Sequence, residues 1–283
     1  MPKENTWIKM GQNFDPFVAE WIAFSSASKY NLVEKCLKLA QILEYPDLDI
    51  PSYIEKINEI AKSLSVLLSD VKNPTYLISM LNEHLFSRLG FRGDTNDYYD
   101  PKNNFLNHVL EKKIGIPITL SIIYTEAARQ IGLDLRICGF PSHVVVKYGE
   151  EMVLDPFEGG RLLGVEDLEE ILYQNFGEEI EFSPEFLDEL PEDKILARII
   201  RNLKNSYAQS YAYEKALKCT NMILASEPDS PDEIRDKGIL LDRLLNHKDA
   251  LEYLNRYLVV APEAPDVDFI LDLIHNVREK LSQ

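Results

Sequence analysis

Residues 103–160 read NNFLNHVLEKKIGIPITLSIIYTEAARQIGLDLRICGFPSHVVVKYGEEMVLDPFEGG and contain the clearest structural pattern of the chain. Apolar residues recur with helical spacing from 118 to 131, and Pro117 suits the first turn of this helix because its missing N–H would be unpaired there. Three short runs rich in β-branched residues follow, separated by turn residues: LRICGF, HVVVKYG and EMVLDPF. Such runs are typical of an antiparallel sheet. The stretch therefore predicts an α+β core in which one helix precedes a small sheet.

Helical patterns precede this core. Between about 15 and 90, three segments place apolar residues at positions i, i+3, i+4 and i+7: KYNLVEKCLKLAQIL, SYIEKINEIAKSLSVLL and TYLISMLNEHLFSRL. The segment GFRGDTNDYYDPKNN, rich in Gly, Asp and Asn, then reads as a loop of about fifteen residues. Loops of that length inside compact domains are often functional, so this segment is a candidate part of a site.

The C-terminal segment contains an internal repeat. Ala216 and Ala250 are 34 residues apart, and so are Pro228 and Pro262. This period, with small residues where paired helices approach and a proline after each second helix, matches tetratricopeptide repeats. Fewer than three such repeats rarely fold alone, so we expect this pair to pack on the preceding domain or on a capping helix at 265–281.

The composition excludes several classes of function. The chain of 283 residues is 45% hydrophobic with a net charge of −17, which indicates a folded protein and argues against nucleic-acid binding through a basic surface. Residues 1–14 lack the apolar core of a signal peptide, and no apolar run approaches the roughly 18 residues that span a bilayer. Three widely spaced cysteines and scattered histidines indicate neither disulfides nor a metal site. We expect a cytoplasmic protein that has no cofactor and binds neither membranes nor nucleic acid.

His143 and Asp155 are the strongest candidate pair for chemistry. Adjacent antiparallel strands can bring these two side chains within hydrogen-bonding reach, and such a bond would fix the imidazole tautomer that a general base requires. In the alternative interpretation, His143 only caps a strand and Asp155 only begins the Asp-Pro-Phe turn.

A nucleophile is harder to assign. Pro117 cannot supply one, and the hydroxyls of Thr119 and Ser121 need an adjacent base, so packing or local hydrogen bonding is expected of them instead. Cys138 lies five residues before His143. It is a candidate nucleophile if its pKa is depressed, and otherwise a buried apolar side chain.

Two further features have both a structural and a binding interpretation. Asn103 and Asn104 are predicted to cap the helix NNFLNHVL; alternatively they contact a ligand beside His143, together with Pro117 and Ser121. Residues 162–193 contain twelve acidic side chains and no Lys or Arg, which is typical of a solvated helix face and a linker. A docking surface for a basic partner is the second interpretation of this acidic segment.

Three segments resemble the SirB-type family of transglutaminase-like proteins that carry C-terminal tetratricopeptide repeats: YYDPKNNFLNHVLEKKIGIPITLSIIYTEAARQIGL, GFPSHVVVKY and LDPFEGG. The resemblance covers roughly residues 35 to 275. It implies a papain-like, transglutaminase-like core packed on helical repeats, with His143 and Asp155 in two positions of the catalytic triad. It also implies that Pro117, fifteen residues before Gly132, stands where active members of the superfamily have their cysteine. GIPITL is usual in this branch, so the resemblance implies that the whole branch lacks the cysteine.

We therefore predict a transglutaminase-like domain with N-terminal helices at 1–190, its core at about 90–165, and helical repeats at 191–283. The favoured function is non-catalytic: a pseudoenzyme cleft and the repeats bind a protein or peptide partner. The alternative is a hydrolase or transferase of amide, ester or thiol chemistry, in which His143 and Asp155 act with water or Cys138. General-base help alone contributes only about 10²–10⁴-fold, which favours the binding function. No feature of the sequence indicates an oligomeric state.

Overall fold

The computed structural model describes residues 15–68 and 72–282, so the signal-peptide expectation for residues 1–14 lies outside it. These two ranges form twelve α-helices and six short strands. The helices are α1 (Pro16–Ser25), α2 (Leu32–Leu43), α3 (Ile50–Leu68), α4 (Pro74–Asn82), α5 (Leu106–Lys112), α6 (Pro117–Gln130), α7 (Val165–Phe176), α8 (Glu192–Gln209), α9 (Tyr213–Ser226), α10 (Pro231–Arg243), α11 (His247–Val260) and α12 (Val267–Ser282). The strands are β1 (Arg92–Gly93), β2 (Ile114–Gly115), β3 (Leu135–Cys138), β4 (Val145–Tyr148), β5 (Met152–Asp155) and β6 (Arg161–Leu163).

Helix α6 is the centre of the α+β region. It contacts α3 on one side and β3, β4 and the short 3-10 helix Pro156–Glu158 on the other. Its apolar residues are therefore buried around most of the helix: Ile118, Leu120, Ile122, Ile123, Tyr124, Ala127 and Ala128. A helix that is apolar on nearly all sides is expected in a protein interior.

The four strands β3 to β6 form one antiparallel sheet in sequential order, and β1 pairs with β2 in parallel. Cys138 pairs with Val145, and Asp155 pairs with Arg161. The sequence predicts β3, β4 and β5, and the α+β class is confirmed. It does not predict β6 or the β1–β2 pair, because two or three residues are too few to show alternation.

The C-terminal helices form two antiparallel pairs and a final helix. Helices α8 and α9 pack together, as do α10 and α11, and α12 packs on α11. Ala216 and Ala250 are fully buried, and a Cβ on Gly238 would lie 2.7 Å from the Leu254 side chain. The predicted small residues at helix–helix contacts, prolines after α9 and α11, and capping helix are therefore confirmed.

One apolar core extends across the two parts of the chain. It includes Val18 of α1, Leu120 of α6, Ile199 of α8 and Ile223 of α9. A second cluster lies between α10, α11 and α12, and a third lies between the sheet and α7. The predicted division at residue 190 therefore does not coincide with a break in the core.

A network of charges joins α8 to α10. The carboxylate of Glu233 is 1% exposed and accepts hydrogen bonds from Arg201 Nε at 3.1 Å and Lys204 Nζ at 2.9 Å. Lys204 also donates to Asp236 Oδ2 at 2.6 Å. Because buried charges are tolerated only when they are compensated, removing any one of these side chains is expected to destabilise the fold.

Both turns within the helix pairs contain a large residue in the left-handed region. Tyr211 and Leu245, which are 34 residues apart in sequence, have φ values of 61° and 62°. Their side chains are 78% and 77% exposed. Little packing therefore offsets the backbone strain, which costs about 1–2 kcal/mol when a residue other than glycine adopts this conformation.

We expect Leu245→Gly to be more stable than Leu245→Ala by roughly 1 kcal/mol, because alanine keeps the Cβ that causes the strain whereas glycine removes it. Both substitutions remove the same exposed side chain, so alanine is the matched control. Urea unfolding followed by circular dichroism measures the difference. Equal midpoints for the two variants would show that this turn is unstrained.

Candidate functional site

The amino terminus of α6 contains the candidate nucleophile positions, Pro117, Thr119 and Ser121. Pro117 is the first residue of the helix and is buried. Thr119 Oγ1 accepts a hydrogen bond from Ile116 N at 3.1 Å and donates to the Asn103 carbonyl at 2.9 Å. Ser121 Oγ is buried and has no hydrogen-bond partner within the described residues. Neither hydroxyl is therefore held by a base.

The structure brings His143 and Asp155 together. His143 Nε2 lies 2.8 Å from Asp155 Oδ2. The other oxygen of this buried carboxylate, Oδ1, accepts hydrogen bonds from the N–H groups of Phe157 at 2.8 Å and Glu158 at 3.4 Å. Asp155 therefore caps the 3-10 helix and is fixed towards the imidazole. With a proton on Nε2 facing Asp155, Nδ1 of the neutral ring keeps its lone pair and can accept a hydrogen bond or a proton.

A strained turn precedes His143. The His143 N–H donates to the Phe140 carbonyl at 3.0 Å, which closes a turn with Pro141 and Ser142 at its centre. Ser142 has φ of 59°, at the turn position where glycine or asparagine is usual. Strand β4 begins only at Val145, so His143 lies in the turn and does not open the strand as expected. Such strain persists only where the surroundings fix the conformation.

Arg198 of α8 contacts both ends of this turn. Its Nη2 donates to the His143 carbonyl at 2.6 Å, and Nη1 and Nη2 lie 3.4 Å from the Phe140 carbonyl. Burial lowers the pKa of the Arg198 guanidinium, and Tyr98 opposes this shift. A helix of the C-terminal region thus contacts the backbone of the candidate site.

Two aromatic rings pack in sequence on the imidazole. The Phe157 ring meets the His143 ring edge to face at 6.2 Å between centroids, and Tyr98 meets Phe157 at 6.0 Å. A Cβ on Gly93 would lie 2.6 Å from the Phe157 ring, so glycine is required for this ring to fit. Burial raises the pKa of Tyr98, and the charge of Arg198 opposes the shift. One residue of the long loop, Tyr98, thus packs on the ring that contacts the imidazole.

Asn82 holds the segment that follows Asp155. Its Nδ2 donates to the Gly160 carbonyl at 2.9 Å, and its Oδ1 accepts a hydrogen bond from the Tyr124 hydroxyl at 2.7 Å. Gly160 has φ of 76°, and a Cβ there would overlap the Asn82 amide. The Gly160 N–H also donates to the Asp155 carbonyl at 2.7 Å. These contacts fix the loop that bears the carboxylate.

Cys138 lies apart from the imidazole. Its side chain is buried in the cluster between the sheet and α7, and Sγ lies 3.1 Å from the Leu187 carbonyl. Burial raises the pKa of this thiol to about 11. Within the described residues its hydrogen-bond acceptors are the carbonyls of Leu187 and Arg136, not a histidine. This geometry is that of a buried neutral thiol and gives a displaced nucleophile no support.

The prediction that Asn103 and Asn104 cap the helix NNFLNHVL is wrong. Asp100 instead caps a 3-10 helix at Pro101–Asn104, and α5 begins only at Leu106. Asp100 precedes a proline, which favours a helical start there, so the asparagines fall inside the short helix. Asn103 Nδ2 donates to Asp94 Oδ2 at 3.0 Å and to the Asp97 carbonyl at 2.8 Å, bracing the long loop. Asn104 Oδ1 is buried and has no partner within the described residues.

Local sequence patterns indicate only some of these residues. Tyr98 lies in the long Gly/Asp/Asn-rich segment, whose length pointed to it. Asn82 and Arg198 lie on ordinary amphipathic helices, and no local pattern distinguishes them. Their roles depend on tertiary contacts with Gly160 and with the turn before His143.

Other features of the described residues do not add to this site. Within 15–68 and 72–282, no group of three His, Cys, Asp or Glu side chains is arranged to hold a metal ion. None of the helices in these ranges is both long and apolar enough to cross a membrane. A groove of about 680 Å³ lies between α1, α8 and α9, with Trp21, Leu196 and Met222 in its wall, and includes neither His143 nor Asp155.

Residues 51–201 match the family described as the transglutaminase-like superfamily, and residues 203–275 match the tetratricopeptide repeat family. The first match ends inside α8 and includes Arg198.

Curated relatives cover most of the chain. A UPF0162 protein of Xylella fastidiosa is 34% identical over 233 residues, which are 80% of this chain and 83% of that protein. Protein SirB1 of Salmonella typhimurium is 26% identical over 243 residues, covering 84% of this chain and 88% of that protein. UPF0162 protein YchA of Escherichia coli is 26% identical over 242 residues, covering 84% of this chain and 88% of its own length. No solved structure matches the chain.

Proposed function

Because this chain belongs to the transglutaminase-like family of the UPF0162 proteins and SirB1, we propose that it is a non-catalytic member whose cleft binds a peptide segment of a protein partner. The observation that carries the proposal is an intact His143–Asp155 pair beside a helix that begins with Pro117. The chain keeps the oriented imidazole but has no cysteine sulfur at position 117 to attack a substrate. Loss of a covalent nucleophile lowers turnover by orders of magnitude, whereas an oriented imidazole still offers a hydrogen bond to a ligand.

The repeats support a protein or peptide as the ligand. Tetratricopeptide repeats stack helix pairs into extended surfaces that commonly bind peptides. In this chain, α8 both belongs to the first helix pair and contacts the turn before His143. A peptide that binds along the repeats would therefore extend to the candidate site.

Enzymatic assays test the non-catalytic part. We expect wild-type protein and His143→Ala to hydrolyse p-nitrophenyl acetate at the same rate, and to transfer a fluorescent amine to casein at the same rate. A wild-type rate about tenfold or more above that of His143→Ala would overturn the proposal, since general-base catalysis contributes at least that much. The melting temperatures of both proteins serve as the control for folding.

Site-specific cross-linking tests the binding part. A photoreactive phenylalanine at Tyr99, whose ring lies 5.3 Å from that of Tyr98, should cross-link a discrete partner in cells. The matched control is the same substitution at Tyr173 on α7, because Tyr99 and Tyr173 are 61% and 60% exposed. Identical products from both positions would contradict a binding site at the cleft.

Hydrolysis by an activated water is the second candidate function. The observation that favours it is the same hydrogen bond, which leaves Nδ1 of His143 free to take a proton from water. A rate that depends on both His143 and Asp155, measured in the assays above, distinguishes it from the binding function.

A further inference from the structure

Arg198 is unusual among the arginines of the described residues. Among the arginines of residues 15–68 and 72–282, it alone is partly buried and has no carboxylate oxygen within 4.0 Å of its guanidinium nitrogens. The other three partly buried arginines, Arg201, Arg235 and Arg256, are each paired with at least one acidic side chain. The chain has 47 Asp and Glu against 30 Lys and Arg, so the missing partner is not explained by a shortage of acidic residues.

The carbonyl contacts of Arg198 do not account for its charge. They are made by Nη1 and Nη2, so Nε–H and further N–H donors have no protein acceptor within the described residues. A neutral amide side chain can also donate to a carbonyl, without the free-energy cost of withdrawing a charge from water. The turn before His143 therefore requires a donor but not a cation.

The neighbours of Arg198 are suited to an anion. Tyr98 packs against the Phe157 ring of the site at 6.0 Å between centroids, and its hydroxyl is a further donor. Tyr98 and Arg198 each also affect the pKa of the other. The backbone of His143 is in direct contact with the guanidinium, and the Phe157 ring lies against the imidazole. The free Nε–H of the guanidinium can donate a charge-assisted hydrogen bond to a carboxylate oxygen, which is shorter and stronger than a bond between neutral groups.

We propose that Arg198, with Tyr98 beside it, binds a carboxylate of the peptide that occupies the cleft. This inference rests on the proposed function and specifies its ligand: a peptide that presents its C-terminal carboxylate, or an acidic side chain, next to His143. The bound carboxylate supplies the counter-ion that the chain itself does not.

Titration of the whole protein with small probes tests the site. The NMR resonance of the Arg198 Nε–H group reports binding. N-acetylglycine mimics a C-terminal carboxylate, N-acetylaspartic acid α-amide mimics an acidic side chain, and N-acetylglycinamide is the neutral control. We expect a saturable shift with one or both acids up to about 100 mM, and none with the amide or with equal sodium chloride. Whichever acid binds more tightly identifies the source of the carboxylate. An equal shift with the amide or the salt, or no shift with either acid, would overturn the inference.

Variants add a second measurement, with the His143 ring resonances as the reporter. Arg198→Gln should weaken binding of the acid roughly ten- to hundredfold, the value of a charge-assisted hydrogen bond. Arg136→Gln, which removes a half-exposed arginine of β3 that lies near Asp134 and Glu189, should leave the affinity unchanged. Equal affinity in wild type and folded Arg198→Gln would contradict the inference. If Arg198→Gln does not fold, the inference is tested by comparing the two acids with the amide on the wild-type protein.

The outcomes separate this inference from the proposed function. Turnover that depends on His143, together with carboxylate-specific binding, would overturn the non-catalytic function and keep the carboxylate site. Cross-linking from position 99 without carboxylate binding would keep the peptide-binding function and remove the role of Arg198.

Discussion

Pro117→Cys is expected to create a thiol with a pKa of roughly 4–7, well below the free value of about 8.5. The introduced group would stand at the first position of α6, where the helix dipole and the free N–H groups stabilise an anion. The family resemblance places the same position opposite His143, whose imidazolium stabilises a thiolate further. The ultraviolet absorbance of the thiolate, followed against pH, measures the pKa directly.

The native thiols give a low background in this experiment. Burial raises the pKa of Cys138 to about 11 and that of Cys219 to about 12, and it raises the pKa of Cys36 as well. A thiolate that forms near neutral pH is therefore the introduced one.

Two variants separate the contributions of the helix and the histidine. Pro74→Cys replaces the first residue of α4, which like α6 begins with proline and has no acidic residue in its first turn. It should show only the smaller effect of a helix terminus. Adding His143→Ala to Pro117→Cys should return the pKa to the value of the Pro74→Cys control. Equal pKa values in Pro117→Cys and Pro74→Cys would mean that residue 117 does not face the imidazole.

Glu233→Gln should lower the free energy of unfolding by about 1.5–3 kcal/mol, because it removes the buried carboxylate that Arg201 and Lys204 share. Each cation keeps one partly exposed partner, Glu227 for Arg201 and Asp236 for Lys204, so neither charge is left wholly uncompensated. Lys204 is only 6% exposed, so water cannot replace the lost carboxylate. Urea unfolding measures the change.

The control for this prediction is a pair of similar chemistry on the surface. Glu83 and Arg88 lie 2.7 Å apart with side chains about half exposed, and Glu83→Gln should cost at most about 1 kcal/mol. The double variant Glu233→Gln with Lys204→Met should recover part of the loss, because it also removes the buried cation that has lost one of its two carboxylate partners. A cost for Glu233→Gln no larger than that for Glu83→Gln would show that the network is not a determinant of stability.

Long periodic features of this fold could be predicted from the sequence. Helix α6 repeats apolar residues over fourteen positions, and the helix pairs repeat at 34 residues. Both patterns involve enough residues for a period to be recognised. The proximity of His143 and Asp155 was predicted from the adjacent runs that contain them, although His143 lies in the turn before β4 and not in the strand. Short features such as β6 and the 3-10 helix at Pro101–Asn104 carry too few residues to show a period.

The contacts that complete the candidate site depend on distance in space. Arg198 is 55 residues from His143 in sequence, and Asn82 is 78 residues from Gly160. Neither pairing leaves a local pattern, because each arises where separate helices pack against loops. Periodicity could therefore predict the sheet that carries the imidazole, but not the side chains that hold it in place.

The shared core has a consequence for how the chain folds during synthesis. Residues of α8 and α9 supply one side of the apolar core whose other side comes from α1, α2 and α6. A ribosome makes protein from the amino terminus at about 5–20 residues per second, so the first part of this chain waits roughly ten seconds or more for α8 and α9. Throughout that interval, the apolar surface that α8 and α9 bury in the folded protein stays exposed. The nascent chain is thus expected to depend on chaperones until α9 has left the ribosome.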